Sequence, residues 1–117
     1  LKVHRRQFRT LDRANGRHRG GTGQEILLES LAPNPSIMSF MAERTRPESA
    51  ALGLHGGDAG APGEIEIDGR RVNPKQQHTV RLGSRILLRT PGGAGYGAPE
   101  ERAATALARD RKDGILK

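Results

Sequence analysis

The chain has 117 residues, a formal net charge of +7 and no cysteine or tryptophan, and only 33% of its residues are hydrophobic. This length fits one domain or a large part of one, while the absence of cysteine excludes a disulfide framework, a thiolate metal site and a thiol nucleophile. No apolar run approaches the roughly 18 residues of a membrane-spanning helix, so we expect a loop-rich cytoplasmic protein with a thin core.

The positive charge is concentrated in a basic arm, residues 1–19. Seven Lys or Arg side chains there face a single acid, Asp12, whereas the rest of the chain carries a net charge of only +1. Such an arm is typical of nucleic-acid or other polyanion binding. Binding of single strands also needs stacking rings, and the arm offers only Phe8. The sequence therefore favours an arm that lies against acidic surface of the same chain or of a partner over one that binds nucleic acid.

The first part of the chain is predicted to contain three strands. Residues 1–12 alternate weakly, which is compatible with an edge strand. A loop is predicted over residues 14–23, because Asn15-Gly16 is a turn signal and three more glycines follow. Two apolar runs come next, 24–31 and 36–43, joined by a short turn that contains two prolines. We expect these two runs to pair as the antiparallel centre of the core.

Residues 44–63 have no periodicity, and a loop of this length in a compact domain is usually functional or held by a partner. Alternation returns over residues 64–68, where Asp68-Gly69 predicts a hairpin with a return strand over 70–74. Two further strands are predicted, over residues 78–82 and 85–89.

Residues 92–97 contain four glycines and the only tyrosine of the chain. Bare backbone N–H groups can hold anions. However, no Lys-Ser/Thr pair follows, as a Walker A loop requires, and no helix begins at once, as a dinucleotide loop requires. The pattern favours a structural bend pinned by Tyr96 and formed by Gly92, Gly93, Gly95 and Gly97.

One helix is predicted, over Glu101–Asp113, within a C-terminal helical segment 99–117. Leu107 and neighbouring alanines give it a narrow apolar face. Acids near its start and bases near its end match the helix dipole, and Gly114 is placed to end it. The expected fold is therefore mostly β, a β-rich α+β arrangement of short antiparallel strands with long glycine-rich loops and one C-terminal helix.

His55 and Asp58 are the candidate pocket residues, because they place an imidazole and a carboxylate on one glycine-rich loop. A base or metal-binding role is one interpretation. The other is an Asp58 that stabilises a turn and a His55 that is packed or faces solvent. The four histidines show no metal-ligand spacing, so no metal site is predicted in this chain. Glu64 and Glu66 lie two apart on one strand, which is typical of a solvated face.

Four stretches resemble sequence elements of the hydantoinase B/5-oxoprolinase family. Residues 16–25 resemble its GxxRGGxG element, with the motif glycines Gly20, Gly21 and Gly23. Residues 90–97 resemble its TPGGGGYG signature and residues 109–114 its terminal RDVxDG. The remaining likeness is to its ER…GxxGG…GAPG run, at Glu43-Arg44, 53–57 and 60–63. Each likeness is weak alone, but their common order over residues 16–117 makes residues 1–117 similar to a single C-terminal segment of a larger subunit of this family.

The resemblance implies a function and partners. Such subunits, N-methylhydantoinase B among them, form hetero-oligomers with a hydantoinase A-type subunit that binds Mg-ATP. Together they open cyclic amides such as hydantoins or 5-oxoproline, because phosphorylation of the carbonyl oxygen makes an unreactive amide electrophilic. The resemblance implies no cofactor in this segment, is compatible with a divalent metal in the assembly, and leaves the isolated segment inactive. A segment of a related ATP-dependent ketone carboxylase is one alternative, and a non-catalytic interaction or polyanion-binding module is another.

The sequence departs from the family pattern at three places. Ala98 and Ala103 stand where the family often has Asp, and loss of an Asp helix cap costs about 1 kcal/mol. Residues 47–52 lack the aromatic character common in the family there. For this reason the resemblance assigns no catalytic residue and no substrate contact to this loop.

Overall fold

Seven short strands and one helix make up the regular structure, and the computed structural model describes residues 1–117. The strands are β1 (Lys2–Phe8), β2 (Gln24–Glu29), β3 (Ser36–Ser39), β4 (Glu64–Ile67), β5 (Arg70–Arg71), β6 (Gln77–Val80) and β7 (Arg85–Arg89). The helix is α1 (Ala104–Lys112), and short 3-10 turns lie at Pro47–Ser49 and Pro99–Glu101. The expected β-rich α+β fold with one C-terminal helix is confirmed.

Five strands form one antiparallel sheet in the order β1-β2-β7-β4-β5. Alternation along its central strands separates an apolar face from a charged face. Leu28 on β2 lies opposite Ile86 on β7, and Ile86 lies opposite Ile67 on β4. The apolar face holds Ile86 and Ile65, which are 0% and 5% exposed. The core of the chain therefore lies against one side of this sheet.

The predicted pairing of residues 24–31 with 36–43 is wrong. β3 pairs with β6 in a separate two-stranded sheet. Both edges of β2 are occupied, by β1 on one side and by β7 on the other. The connection between β2 and β3 contains Pro33 and Pro35, which have no N–H to donate to a hairpin ladder. Pairing of β2 with the apolar strand β7 is favoured over pairing with β3, because it contributes to the burial of Ile86.

The predicted hairpin at Asp68-Gly69 is confirmed, since β4 and β5 pair across it. Both turn residues have positive φ, 50° and 78°, as a type I′ turn requires. The return strand is shorter than the expected 70–74, because only Arg70–Arg71 continue the ladder.

The helix begins later than predicted, at Ala104 rather than Glu101. Glu100 and Glu101 lie in the 3-10 turn, and Arg102 and Ala103 are extended, with ψ of 128° and 138°. As a result no acid lies in the first turn of α1, and no side chain caps it. Its end agrees with the prediction, because Gly114 follows the helix with a φ of 71°.

The chain is thin for its length. Its extents are 53 × 30 × 15 Å and its radius of gyration is 16.4 Å, against about 13 Å for a compact domain of this size. Only 16 of 117 residues are buried, and six of those are hydrophobic core residues. Backbone hydrogen bonds and ion pairs therefore carry an unusually large share of the packing.

The basic arm lies against acidic side chains of the same chain, as the sequence favours. β1 is the edge strand of the sheet and pairs with β2. Arg5 forms an ion pair with Glu25 at 2.6 Å, and His4 contacts Glu29. These contacts neutralise part of the positive charge of the arm.

Candidate functional site

Three loops that are distant in sequence meet beside the sheet, and we call them the glycine cluster: residues 15–23, 53–60 and 92–97. Backbone hydrogen bonds join all three. The amide of Asp58 donates to the carbonyl of Asn15 at 2.7 Å, and the amide of Gly95 donates to the carbonyl of Asp58 at 3.0 Å. The first loop leads directly into β2 and the third follows β7, so pairing of β2 with β7 brings these two loops together.

The backbones of the glycine cluster approach too closely for side chains. A Cβ at Gly95 would lie 1.8 Å from the carbonyl oxygen of Asn15, and a Cβ at Gly57 would lie 2.1 Å from the carbonyl oxygen of Gly95. Such contacts would force the loops apart. Gly20 and Gly23 have similarly close backbone neighbours, whereas Gly21 has open space around it.

The amides of the third loop are already used within the chain. Five of them donate to backbone carbonyls: Gly92 to Ala61, Gly93 to Gly21, Gly95 to Asp58, Tyr96 to His18 and Gly97 to Leu54. A phosphate cradle needs several N–H groups that point at the ligand. These amides are therefore used in packing the loop against its neighbours, and the interpretation of residues 92–97 as a structural bend stays a prediction.

The side chain of Asn15 links two loops of the glycine cluster through hydrogen bonds. Its side chain is buried, with the residue 8% exposed. Its Nδ2 donates to the carbonyl of Gly93 at 2.9 Å, and its Oδ1 accepts from the amide of Gly20 at 3.1 Å. One amide thus satisfies buried backbone groups on two loops. In the sequence Asn15 is recognisable only as a turn signal, since Gly93 lies far away in the chain.

Leu54, Tyr96 and His18 form a short ladder at the surface of the cluster, which we call the Tyr96 ladder. Tyr96 and His18 exchange two backbone hydrogen bonds, at 2.9 and 3.0 Å, and Leu54 bridges Tyr96 on the other side. Side chains of bridged residues share a face, and here that face is open, with Leu54 61% and Tyr96 49% exposed.

His55 extends this surface. Its φ is 49°, in the left-handed region, and its ring centroid lies 4.9 Å from that of Tyr96. The His18 ring centroid lies 6.1 Å from Tyr96. Two imidazoles therefore flank one phenol ring on an exposed face.

Asp58 has a different environment. It lies at a surface cavity of about 370 Å³ that is bordered by all three loops and by Arg13. The guanidinium of Arg13 donates to its carboxylate at 2.7 Å. His55 does not border this cavity. The structure therefore does not join His55 and Asp58 into one acid–base pair, because each side chain has its own partner.

A buried ion cluster fastens helix α1 to the first loop of the glycine cluster. Asp110 is 3% exposed, and its carboxylate accepts from Arg19 at 3.2 Å and from Arg102 at 2.8 Å. Arg102 also donates to the carbonyl of Arg17. Burial alone would raise the pKa of Asp110, but the hydrogen bonds and charges of Arg19 and Arg102 outweigh it and hold the pKa below its ordinary value.

A second ion cluster covers the charged face of the sheet. Arg89 donates to Glu25 at 2.8 Å, to Glu64 at 2.9 Å and to Glu66 at 3.1 Å. The hydrogen bond from Arg89 lowers the pKa of Glu25, although burial opposes this. Glu64 and Glu66 do share a face, as predicted, but they are held by an arginine rather than simply solvated. The only sequence feature that could have indicated this ion cluster is Arg89, a charged residue at the end of an apolar strand.

Arg9 lies next to this ion cluster without a direct carboxylate partner. It donates to the carbonyls of Pro62 and Thr90, both at 2.8 Å. Burial lowers its pKa, and the nearby negative charge of Glu64 opposes that effect. Arg9 thereby links the basic arm to the loops that precede β4 and follow β7.

The side chains form no group of three or more His, Asp or Glu that is arranged to hold a metal ion. No helix has the length and apolar character needed to cross a membrane. The geometry supports a scaffold with an exposed aromatic surface at Tyr96 and a small cavity beside Asp58.

Comparisons with known proteins agree on one family. The profile described as hydantoinase B/oxoprolinase matches residues 1–99. The chain is 32% identical over 99% of its length to the B-type subunit of a putative D-/L-hydantoinase from Pseudomonas sp. (strain NS671), of which it covers 20%. It is 35% identical over 82% of its length to 5-oxoprolinase 1 from Arabidopsis thaliana, of which it covers 8%.

One solved structure is similar over almost the whole chain. The ATP-dependent caprolactamase from Pseudomonas jessenii matches 98% of this chain with a TM-score of 0.67 and 27% sequence identity. The chain covers 21% of that protein chain. It therefore spans about a fifth or less of the length of these relatives.

Proposed function

Because the chain belongs to the hydantoinase B/oxoprolinase family, we propose that it acts as the C-terminal segment of a hydantoinase B-type subunit in an ATP-dependent enzyme that hydrolyses cyclic amides. The similarity of 98% of the chain to an ATP-dependent caprolactamase is the observation that carries this proposal. The relatives named hydantoinase and 5-oxoprolinase also support a cyclic amide as the substrate class.

The role of this segment is to provide a scaffold. The glycine cluster, Asn15 and the Asp110 ion cluster fix the loops and helix α1 in one arrangement. Mg-ATP is bound by a hydantoinase A-type partner subunit in this proposal, and a divalent metal, where the assembly uses one, is held outside these residues. In this proposal the segment has no activity without the rest of the subunit and its partner.

His55 and Asp58 are proposed to face the substrate side of the assembled enzyme. Asp58 supports this through its position at a cavity that all three loops border. His55 supports it through its left-handed backbone and its exposed ring, since strained loop residues are concentrated at functional sites.

The two candidate activities, cyclic-amide hydrolase and ketone carboxylase, differ in their substrates. The names of the relatives favour the hydrolase, because each describes an enzyme of a lactam, a hydantoin or 5-oxoproline. Both reactions begin with ATP-dependent activation of a carbonyl oxygen. The substrate therefore decides between them.

The test is reconstitution. The chain is produced together with the remaining part of a hydantoinase B-type subunit and a hydantoinase A-type partner, and a matched preparation omits the chain. We expect phosphate release and ring-opened product with hydantoin, 5-oxoproline or caprolactam, both dependent on Mg-ATP and on the chain. Consumption of a ketone and bicarbonate without ring opening would assign the carboxylase instead. No ATP turnover with either substrate class would refute the proposed function.

A further inference from the structure

The Tyr96 ladder is rigid at its backbone and open at its side chains. Tyr96 is hydrogen-bonded through its backbone to His18 on one side and bridged to Leu54 on the other. Behind it, Gly95 packs directly on the backbone of Asn15. The ring nevertheless remains about half exposed, and Leu54 is exposed further. The fold thus holds an apolar, aromatic face in a fixed position without covering it.

The polar groups of this face, which are the Tyr96 hydroxyl and the His18 and His55 imidazoles, make no side-chain hydrogen bonds within the chain. Of the four histidines, only His4 and His78 make side-chain hydrogen bonds. The imidazole rings of His18 and His55 both lie near the Tyr96 ring, with centroids 6.1 and 4.9 Å away. Tyrosine with an apolar body and a free hydroxyl is the side chain most suited to an interface, since it gives large contact area at low entropy cost.

The shape of the surface indicates a macromolecular occupant. Small-molecule sites are concave, and Tyr96 does not border any of five surface cavities of the chain. An exposed aromatic face that is held by backbone hydrogen bonds and flanked by imidazoles has the composition of a protein–protein hot spot.

We propose that the Tyr96 ladder is the surface through which this chain docks on the main body of a hydantoinase B-type subunit, meaning the part that this chain does not match. This inference rests on the proposed function. Two observations select the occupant. The matching caprolactamase chain extends well beyond the 21% that this chain covers, and this chain is only 15 Å thick along its shortest axis and buries only six hydrophobic core residues. The docking face of the main body offers an apolar side chain to Tyr96 and oxygen acceptors to the phenol and imidazole groups.

The test measures capture of this chain by a defined main body. That body is the caprolactamase β chain of Pseudomonas jessenii without the segment that matches this chain, co-expressed with the tagged chain. We expect a stable complex. We expect Tyr96→Ala to raise the Kd of this complex by about 30-fold, which is the loss of affinity typical of an interface hot spot. Leu54→Ala weakens it less. Leu82→Ala is the matched control, because Leu82 is a similarly exposed leucine, at 63%, in the turn before β7, and it leaves the Kd unchanged.

Each outcome decides the proposal. Thermal melting of each variant shows whether the fold is retained, and a photo-crosslinking residue at position 96 reports the contact without truncating the ladder. Capture that is equally strong in Tyr96→Ala and Leu82→Ala overturns the docking surface and leaves the proposed function intact. Self-association of the chain through position 96, or no capture at all, also overturns it. Capture that depends on Tyr96 without any ring opening in the reconstituted enzyme would instead refute the function and keep the surface.

Discussion

Asp110→Asn is expected to destabilise the chain strongly, because it breaks the buried ion cluster that fastens helix α1. Asp110 is 3% exposed, and the side chains of its partners Arg19 and Arg102 are 18% and 11% exposed. Removing one partner of a buried ion pair costs about 3–5 kcal/mol, because the remaining charge is left uncompensated. Asparagine keeps one acceptor oxygen and both arginines can partly rehydrate, so we expect a loss of about 3 kcal/mol in the free energy of unfolding.

The measurement is urea unfolding followed by circular dichroism, with a thermal melt beside it. A loss of about 3 kcal/mol corresponds to a fall in Tm of roughly 12 °C for a domain of this size, given an unfolding entropy of about 2.1 cal/mol/K per residue. Asp113→Asn is the matched control, since Asp113 is the exposed residue that ends the same helix, and it should change stability by less than about 0.5 kcal/mol. If Asp110→Asn stays within that limit, the ion cluster does not hold the helix and the reasoning is wrong.

The remaining predictions concern pH, the glycine cluster, the sheet and the candidate pocket. Because the pKa of Asp110 is lowered in the folded chain, its stabilisation is present above the unfolded value of about 3.9 and is lost as the pH falls through the lower folded pKa. The stabilities of wild type and Asp110→Asn should therefore begin to converge as the pH falls below about 4, and they should become equal only below the lowered folded pKa. Gly95→Ala should cost about 3 kcal/mol or prevent folding, since its Cβ would lie 1.8 Å from a carbonyl oxygen, while Gly21→Ala, with open space around it, should be close to neutral in the same urea titration. Arg89→Met leaves three carboxylates without their shared partner, so its stability deficit should be larger at pH 7 than at pH 4, and equal deficits would contradict the assigned ion cluster. In the reconstituted enzyme, His55→Ala or Asp58→Ala should lower the ring-opening rate without lowering Tm, and unchanged rates for both would refute the pocket assignment.

Local patterns predicted the local structure well. Alternation located β4, an apolar run located β7, and Asp68-Gly69 located the hairpin between β4 and β5, because those signals act over a few neighbouring residues. The partner of β2 could not be read in the same way. It lies about 60 residues away, with Glu25 opposite Arg89. Pro33 and Pro35 disfavour a hairpin with β3, but no local signal identifies β7 as the partner.

The site was predictable as a set of residues but not as a geometry. The glycine motifs marked all three loops of the cluster, yet their mutual packing depends on distances between backbones that spacing does not encode. His55 and Asp58 are three apart on one loop, and still they turn to different partners, Tyr96 and Arg13. The burial of Asp110 could not be predicted from the sequence, because an Asp among basic residues near the end of a helix is normally exposed to solvent.

The glycine cluster has a consequence for the order of folding. Its loops come from the beginning, middle and end of the chain, and glycine-rich segments have neither the apolar surface nor the stiffness to nucleate structure. They can close only after β2 and β7 have paired, and that pairing itself spans about 60 residues, which makes it slow relative to local contacts. During synthesis, the first loop therefore stays open until residues 92–97 have emerged from the ribosome. For most of that time the nascent chain has a free sheet edge on β2, so its last third decides whether its first third folds or aggregates.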